Sequence, residues 1–364
     1  MPRLDLLIFG ATGFTGKYIV EELARKSHQQ QKIKWGVAGR SLLKLKEVLD
    51  EITKTTDLSA VETVAADVNN TESVTKMCQK TIVLINCVGP YRLYGEPVVQ
   101  ACLNAKTNYI DVSGEPQFLE TIQLKYNDKA EKEGVAIVGS CGFDSVIADM
   151  GVETIRREYE AKNADIGYIE SFLSVKAGLA NTALNYATWE SAVYGLTYAN
   201  ELKPLRKKLF PQQLLYTKYK RERGPVFPTT FANQKRWCVP FLGSDKSVVQ
   251  RTQYFNSVKL NKKPCEQSSF QMRFVTRGWK QHLNEEHTTE PDLGSVHEFI
   301  GIDPAYIGTS KIVLACALTL REEKDRLPLK FVNETVWKNI NFRYSRYISA
   351  VVYLLLLQRF RRQH

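Results

Sequence analysis

The sequence predicts an α/β fold: a doubly wound parallel sheet over residues 1–150, then a second region over 151–328 in which that alternation stops. Three observations carry the prediction. Short apolar runs alternate with helix-period segments as far as residue 138, each run ends in a polar or glycine-rich loop, and a glycine triplet joins the first run to the first helix. Continuous apolar runs suit strands covered on both faces, whereas a half-solvated sheet would alternate apolar and polar residues.

The first element is the apolar run 4–9, followed by Gly10, Ala11, Thr12, Gly13, Phe14, Thr15 and Gly16. The segment 17–25 then places Ile19, Val20, Leu23 and Ala24 on one helical face. In such a strand–turn–helix, Gly10 permits the tight turn and Gly13 lets backbone N–H groups approach a pyrophosphate. Gly16 lets the helix pack close to its strand, and the helix N-terminus adds partial positive charge. The pattern points to a dinucleotide site, because it sits in the structural context that gives a glycine triplet its meaning.

The second strand, 33–38, decides which dinucleotide. An acid at its end would accept from a ribose 2′-hydroxyl and repel a 2′-phosphate. This chain has Gly39, Arg40 and Ser41 there, and a guanidinium fork with a hydroxyl beside it suits a phosphate. NADP(H) is therefore expected; the competing reading of Arg40 is a solvated start to a helix over 41–50. Further strands are expected at 61–66, leading to Asp67 beside the adenine, and at 81–85, leading to Asn86, Cys87, Val88, Gly89, Pro90 and Tyr91. The runs 107–110 and 135–138 lead to loops holding Glu115 and Asp144. Ligands of open α/β sheets bind at these carboxyl ends.

The chain has 364 residues, with 50 Lys+Arg against 39 Asp+Glu. All of the +11 excess sits in two stretches, 203–223 at +7 and the Leu-rich tail 331–364 at +5. The remainder is near neutral, and no zinc-finger, RNP or homeodomain pattern accompanies the basic runs, so nucleic acid is not an expected partner. Solvated basic loops compete with contact to an anionic lipid surface. The seven scattered cysteines, without a Cys-x-x-Cys, argue against a disulfide scaffold or structural zinc and for a reducing compartment; no metal site is expected. The apolar stretch 347–357 would span about 16 Å as a helix, half of a bilayer core. Framed by arginines, it is read either as an interfacial anchor or as core packed on the second region.

The motifs together resemble the saccharopine dehydrogenase-like oxidoreductases. They are the glycine turn 10–16, the Ala38–Ser41 stretch, the runs 86–91 and 94–97, the segment 109–118 and the Gly142–Ser145 turn. The likeness runs from about residue 4 to 252 and resumes more weakly over 264–328. It implies a Rossmann domain followed by an α+β substrate or dimerisation domain on a mixed sheet, with a helix at about 307–321 returning to the first domain. It also implies an NADP-type cofactor and association with lipid droplets or other membranes, with a bacterial trans-acting enoyl reductase among the relatives and true saccharopine reductases more distant. A cytosolic location and a homodimer stay open. The chain departs from the family in three places: Ile147 stands for a proline, a hydrophobic insertion is replaced by the polar stretch 255–266, and the tail 329–364 is foreign.

In the second region, 165–175 alternates like a half-buried strand, and 182–198 reads as a helix with Leu184, Ala187, Ala192 and Leu196 inward. Residues 203–230 read as an exposed connection, and 236–241, 268–274 and 296–300 as strands.

The catalytic signature is sparse. The one Tyr-x-x-x-Lys match, Tyr216 with Lys220, lies in a basic run outside the nucleotide domain. His282 and His287 lack zinc spacing. Hydride transfer needs an oriented nicotinamide and a proton donor or acceptor. Tyr91, Glu115 and Asp144 are the catalytic candidates by position; Tyr91 alternatively packs beside Pro90, and the two acids alternatively cap helices. The expected function is an NADP(H)-dependent oxidoreductase for a lipid-like or small carbonyl, imine or enoyl substrate. A non-catalytic NADP-binding protein at lipid surfaces is the rival, and a saccharopine reductase proper ranks third.

Overall fold

The computed structural model describes residues 2–29, 33–53, 58, 60–173, 186–212, 226–231, 234–239, 243–260, 266–267, 273–280, 290–298 and 309–322. The expectations for the tail 329–364, for Tyr216 and Lys220, and for His282 and His287 fall outside these residues.

The alternation expected from the sequence is present. Strands β1 (Leu4–Phe9), β2 (Trp35–Gly39), β3 (Glu62–Ala65), β4 (Thr81–Asn86), β5 (Asn108–Asp111) and β6 (Ile137–Val138) form one parallel sheet in the order β3-β2-β1-β4-β5-β6. Helices α1 (Phe14–Gln29), α2 (Leu42–Thr53), α3 (Thr71–Gln79), α4 (Tyr91–Ala105), α5 (Pro116–Glu133) and α6 (Phe143–Ala161) intervene. The two-residue side-chain period splits β1 between two cores. Leu6 and Ile8 pack with α1, α2 and α6, while Leu7 and Phe9 pack with α3, α4 and α5. Burial on both faces is why these strands show no alternation in sequence. Helix α6 runs through residue 150 without a break.

Beyond α6, β7 (Asp165–Phe172) pairs antiparallel with β11 (Arg273–Trp279) and parallel with the short β10 (Glu266–Gln267); β11 pairs antiparallel with β12 (Leu293–Glu298). That sheet is mixed, as the resemblance implied. Strands β8 (Phe227–Phe231) and β9 (Gln234–Cys238) make a separate hairpin. Helix α10 (Thr309–Glu322) returns to the first sheet: Ile312 to Leu320 join the α1 side of its core, and Arg321 Nε lies 2.9 Å from Asp5 Oδ1 on β1.

Three expectations are corrected. The connection expected over 203–230 buries none of its first residues but opens in a helix, α8 (Leu202–Leu209), which follows a one-turn 3₁₀ helix (Ala199–Glu201). Helix α7 (Tyr186–Thr197) buries none of its side chains: Ala187, Ala192 and Leu196, expected inward, are exposed, and Leu184 lies outside the described residues. Its side turned to the protein instead holds Glu190, Ser191, Tyr194 and Gly195, each half-buried. Helix α9 (Asp245–Leu260) was not expected at all. It buries Asp245, Ser247, Arg251, Thr252, Gln253 and Asn256 beside Val249 and Phe255, so a search for apolar periodicity passes over it.

Candidate functional site: a dinucleotide crevice at the strand-order reversal

Strand order reverses between β1 and β4, so the loops that follow these two strands face each other across the crevice where open sheets bind ligands. Gly10 closes the first loop with φ +85°, a conformation that disfavours side chains; its N–H donates to Ala38 O at 2.9 Å. A Cβ on Gly10 would lie 3.0 Å from the Cys87 carbonyl carbon in the opposite loop. At Gly16 a Cβ would lie 2.2 Å from Gly10 O, so no side chain fits between the helix and its turn. Gly13, whose N–H donates to Gly10 O, and Phe14 are exposed, while Thr12 and Thr15 are half-buried and Ala11 is buried. The first turn of α1 carries no acid, so its positive end is left for an anion.

At the end of β2, Arg40 is exposed, with no ion pair among the described residues. Ser41 Oγ accepts from Lys44 N at 3.3 Å, capping α2 and leaving its O–H able to donate. Half-buried Asp67 instead closes a local turn, accepting from Asn69 N at 3.0 Å. The second loop continues with Cys87, Val88 and Gly89, all half-buried, to a cis Gly89–Pro90 bond and the start of α4. Burial pushes the Cys87 thiol up to about 12, with the Asp111 charge adding to it, so this sulfur is a thiol and not a thiolate.

Behind the loops lies a buried polar network. Asn86 Nδ2 donates to Tyr109 Oη at 3.2 Å, and Tyr109 Oη donates to Asp111 Oδ2 at 2.8 Å. Asp111 Oδ1 accepts from Ser113 N and Ser140 N, at 2.9 and 2.8 Å, so one carboxylate ties the loops after β5 and β6 together. Burial raises the Asp111 carboxyl to about 6, against the lowering effect of these hydrogen bonds.

The three catalytic candidates are placed as follows. Tyr91 is buried, and its hydroxyl donates to Asn86 O at 2.9 Å; burial and then the Asp111 charge hold it well above the usual tyrosine range. Glu115 is buried, with one carboxylate oxygen accepting from Tyr91 N and the other from Arg92 N, both at 2.8 Å. Pro90 supplies no side-chain cap, so Glu115 caps α4 across the fold, while its own following helix α5 receives no side-chain cap from it. Ser191 of α7 donates to Glu115 Oε1 at 2.8 Å. Asp144 stands in the first turn of α6, and its side chain lies outside the described residues.

Sequence reasoning passed over Asp111, Ser191 and Arg92, which stacks 4.0 Å above the Tyr198 ring and pairs with Glu201 at 2.8 Å. Asp111 lay in plain view within the 109–118 motif. Ser191 and Arg92 carried no signal, since their partners are distant in sequence.

Sheet order, glycine turn and exposed Arg40 together define a Rossmann-type dinucleotide-binding protein. Residues 6–138 match the model of the saccharopine dehydrogenase NADP binding domain. A lipid droplet localized protein of Caenorhabditis elegans is 30% identical over 394 residues, covering 90% of this chain and 92% of its own. The rat saccharopine dehydrogenase-like oxidoreductase is 41% identical over 275 residues, 73% of this chain and 63% of its own length. A putative trans-acting enoyl reductase of Mycobacterium tuberculosis is 35% identical over 165 residues, 45% of this chain and 38% of its own. This chain belongs to the saccharopine dehydrogenase-like oxidoreductase family and carries its NADP-binding domain. It spans about 63% of the length of the rat relative.

Proposed function

We propose that this protein is an NADP(H)-dependent oxidoreductase that reduces a lipid-like or small carbonyl, imine or enoyl substrate at a lipid droplet or membrane surface. The observation that carries the reading is the glycine cradle beside an exposed Arg40, with no acid at the end of β2. In this reading Gly10 to Gly16 and the α1 N-terminus hold the pyrophosphate, Arg40 and Ser41 take the 2′-phosphate, and Asp67 borders the adenine. The loop Asn86 to Pro90 borders the nicotinamide, which supplies the hydride. Tyr91, Glu115 and Asp144 stand at the nicotinamide end as the proton-handling candidates. The name of the worm relative supports the lipid-surface part of the proposal and that of the mycobacterial relative the enoyl option, and residues 151–328 are taken as the substrate-facing and self-associating part. Among the described residues no helix is long and apolar enough to cross a membrane.

Cofactor titration tests the core of this reading. NADPH should bind more tightly than NADH, and Arg40→Ala should erase most of the difference, about 10- to 150-fold for one charge-assisted phosphate contact. Equal affinities in the unmutated chain would remove the NADP preference.

One observation favours the rival, a non-catalytic NADP-binding protein. The Tyr91 hydroxyl and the Glu115 carboxylate are both engaged by protein groups, neither presenting a free proton donor to the crevice. NADPH consumption with enoyl, imine and carbonyl probes, set against tight NADPH binding without turnover, separates the two. A saccharopine reductase proper has less support, since Arg92 and Arg206, near this end of the sheet, already pair with Glu201 and Glu120.

A further inference from the structure

Helix α7 leaves an apolar stripe exposed. At 100° per residue, Tyr186, Trp189, Val193 and Leu196 fall on one stripe, and all four are exposed, Tyr186 at 69% and Leu196 at 59%. The opposite side is turned to the protein. Ser191 donates to Glu115, and Gln117 Nε2 donates to the carbonyls of Gly195 and Tyr198, at 3.4 and 3.2 Å. A surface helix ordinarily buries its apolar stripe, so this arrangement needs a partner for the outer face.

Helix α8 follows across one 3₁₀ turn and rests on the same support. Gln117 holds the end of α7. One turn further along α5, the fully buried Glu120 accepts from Arg206 of α8, at 2.8 Å to Nη2, and from Ser247 at 2.6 Å. Both helices are thus pinned to one face of α5 and turn their other sides away from it. On α8 the outward groups are Lys203, Lys207 and Lys208, all exposed. The nearby acids do not cancel them: Glu201 is paired with Arg92, and Glu190, the one acid of α7, is half-buried.

We infer that α7 and α8 form a docking face for an anionic phospholipid surface, with Tyr186, Trp189, Val193 and Leu196 entering the acyl boundary and the three lysines meeting headgroup phosphates. Tryptophan and tyrosine suit that boundary because their rings are apolar with a polar edge. The alternative occupant, a second copy of this chain, is disfavoured by charge. A two-fold interface through this face would bring two sets of three lysines together. Because Ser191 touches Glu115, the same helix would hold the lipid surface beside the nicotinamide end of the crevice. The inference rests on the proposed lipid-surface location and assigns it to particular residues.

The test is flotation of the full chain with phosphatidylcholine vesicles, with and without phosphatidylserine, at low and high salt. The unmutated chain should float with the anionic vesicles, and Trp189→Glu combined with Leu196→Glu should reduce binding by about tenfold or more. Lys203→Gln, Lys207→Gln and Lys208→Gln should each weaken it about fivefold and flatten the salt dependence. These side chains are exposed, and circular dichroism with NADPH affinity checks that each variant folds. Flotation of Trp189→Glu/Leu196→Glu equal to that of the unmutated chain overturns the α7 assignment and leaves the lipid location standing on some other segment. No flotation by the unmutated chain overturns both. A switch from dimer to monomer in that double variant, with flotation unchanged, assigns the stripe to a second copy instead.

Discussion

Two buried regions of this molecule are built on opposite chemistry. The core of the parallel sheet is apolar on both faces, from Leu6 and Ile8 on one side to Leu7 and Phe9 on the other. The seam where α5 and α6 meet α8 and α9 is polar. It pairs Glu120 with Arg206 and Ser247, Ser145 with Ser244 and Asp245, and Asp149 with Thr252. Apolar burial is non-directional, so the sheet tolerates many side chains of suitable volume. A buried polar group requires a particular partner at a particular distance, or it costs free energy. The sheet is therefore specified by pattern and the seam by pairing.

The largest effect should come from a place beside the sheet where volume is not negotiable. Gly16→Ala ordinarily favours a helix, by roughly 1 kcal/mol. Here the new methyl meets backbone at Gly10 O and Ala11 Cα, neither of which can rotate away. We expect loss of NADPH binding and destabilisation of about 3 kcal/mol or more, read by calorimetry and fluorescence titration. A variant as stable as the parent would show that the turn can open.

In the seam, Glu120→Ala removes the acceptor of two groups. Breaking a buried ion pair costs about 3–5 kcal/mol, and Arg206 is partly exposed, so the loss should fall near the low end. Urea unfolding measures it. The contrast with the sheet sharpens if Glu120→Gln, which keeps one acceptor for Ser247, restores about half.

Asp111 combines the two chemistries, a carboxylate at the end of an apolar strand. Its folded carboxyl titrates near 6, above the ordinary 3.8, because burial disfavours the charge. The native state therefore binds more protons than the unfolded chain between about pH 4 and 6, so this group's stabilising contribution is complete below about 4 and lost as pH rises through 6. Asp111→Asn should flatten that slope, worth about 2–3 kcal/mol across the window. At low pH the variant should be weaker by about 1 kcal/mol, because Tyr109 loses an acceptor. An unchanged slope in the Asn variant would assign the pH dependence elsewhere.

How much was legible follows the same division. The strands, the glycine turn and Arg40 were readable because each is local: a run of apolar residues, a spacing of glycines, a cation where an acid is usual. Helix α9 was not readable, since the residues it buries are Ser, Asp, Arg, Thr, Gln and Asn. The side of α7 turned to the protein was misplaced, because apolar residues ordinarily point inward and nothing local signals that Ser191 has a distant carboxylate to meet. The position of Glu115 after β5 was legible; its role as the cap of α4 was not, since it meets the Tyr91 and Arg92 amides only in the folded chain.

The sequence alone determined the parallel sheet, its nucleotide turn and the cation at Arg40 where an acid is usual, because a period of two residues, a missing side chain and a single charge are properties of the chain itself. Tertiary structure alone decided which carboxylates are engaged, which helix face is left outward and how the seam closes. Those outcomes depend on distances between groups tens of residues apart, and no local pattern encodes a distance.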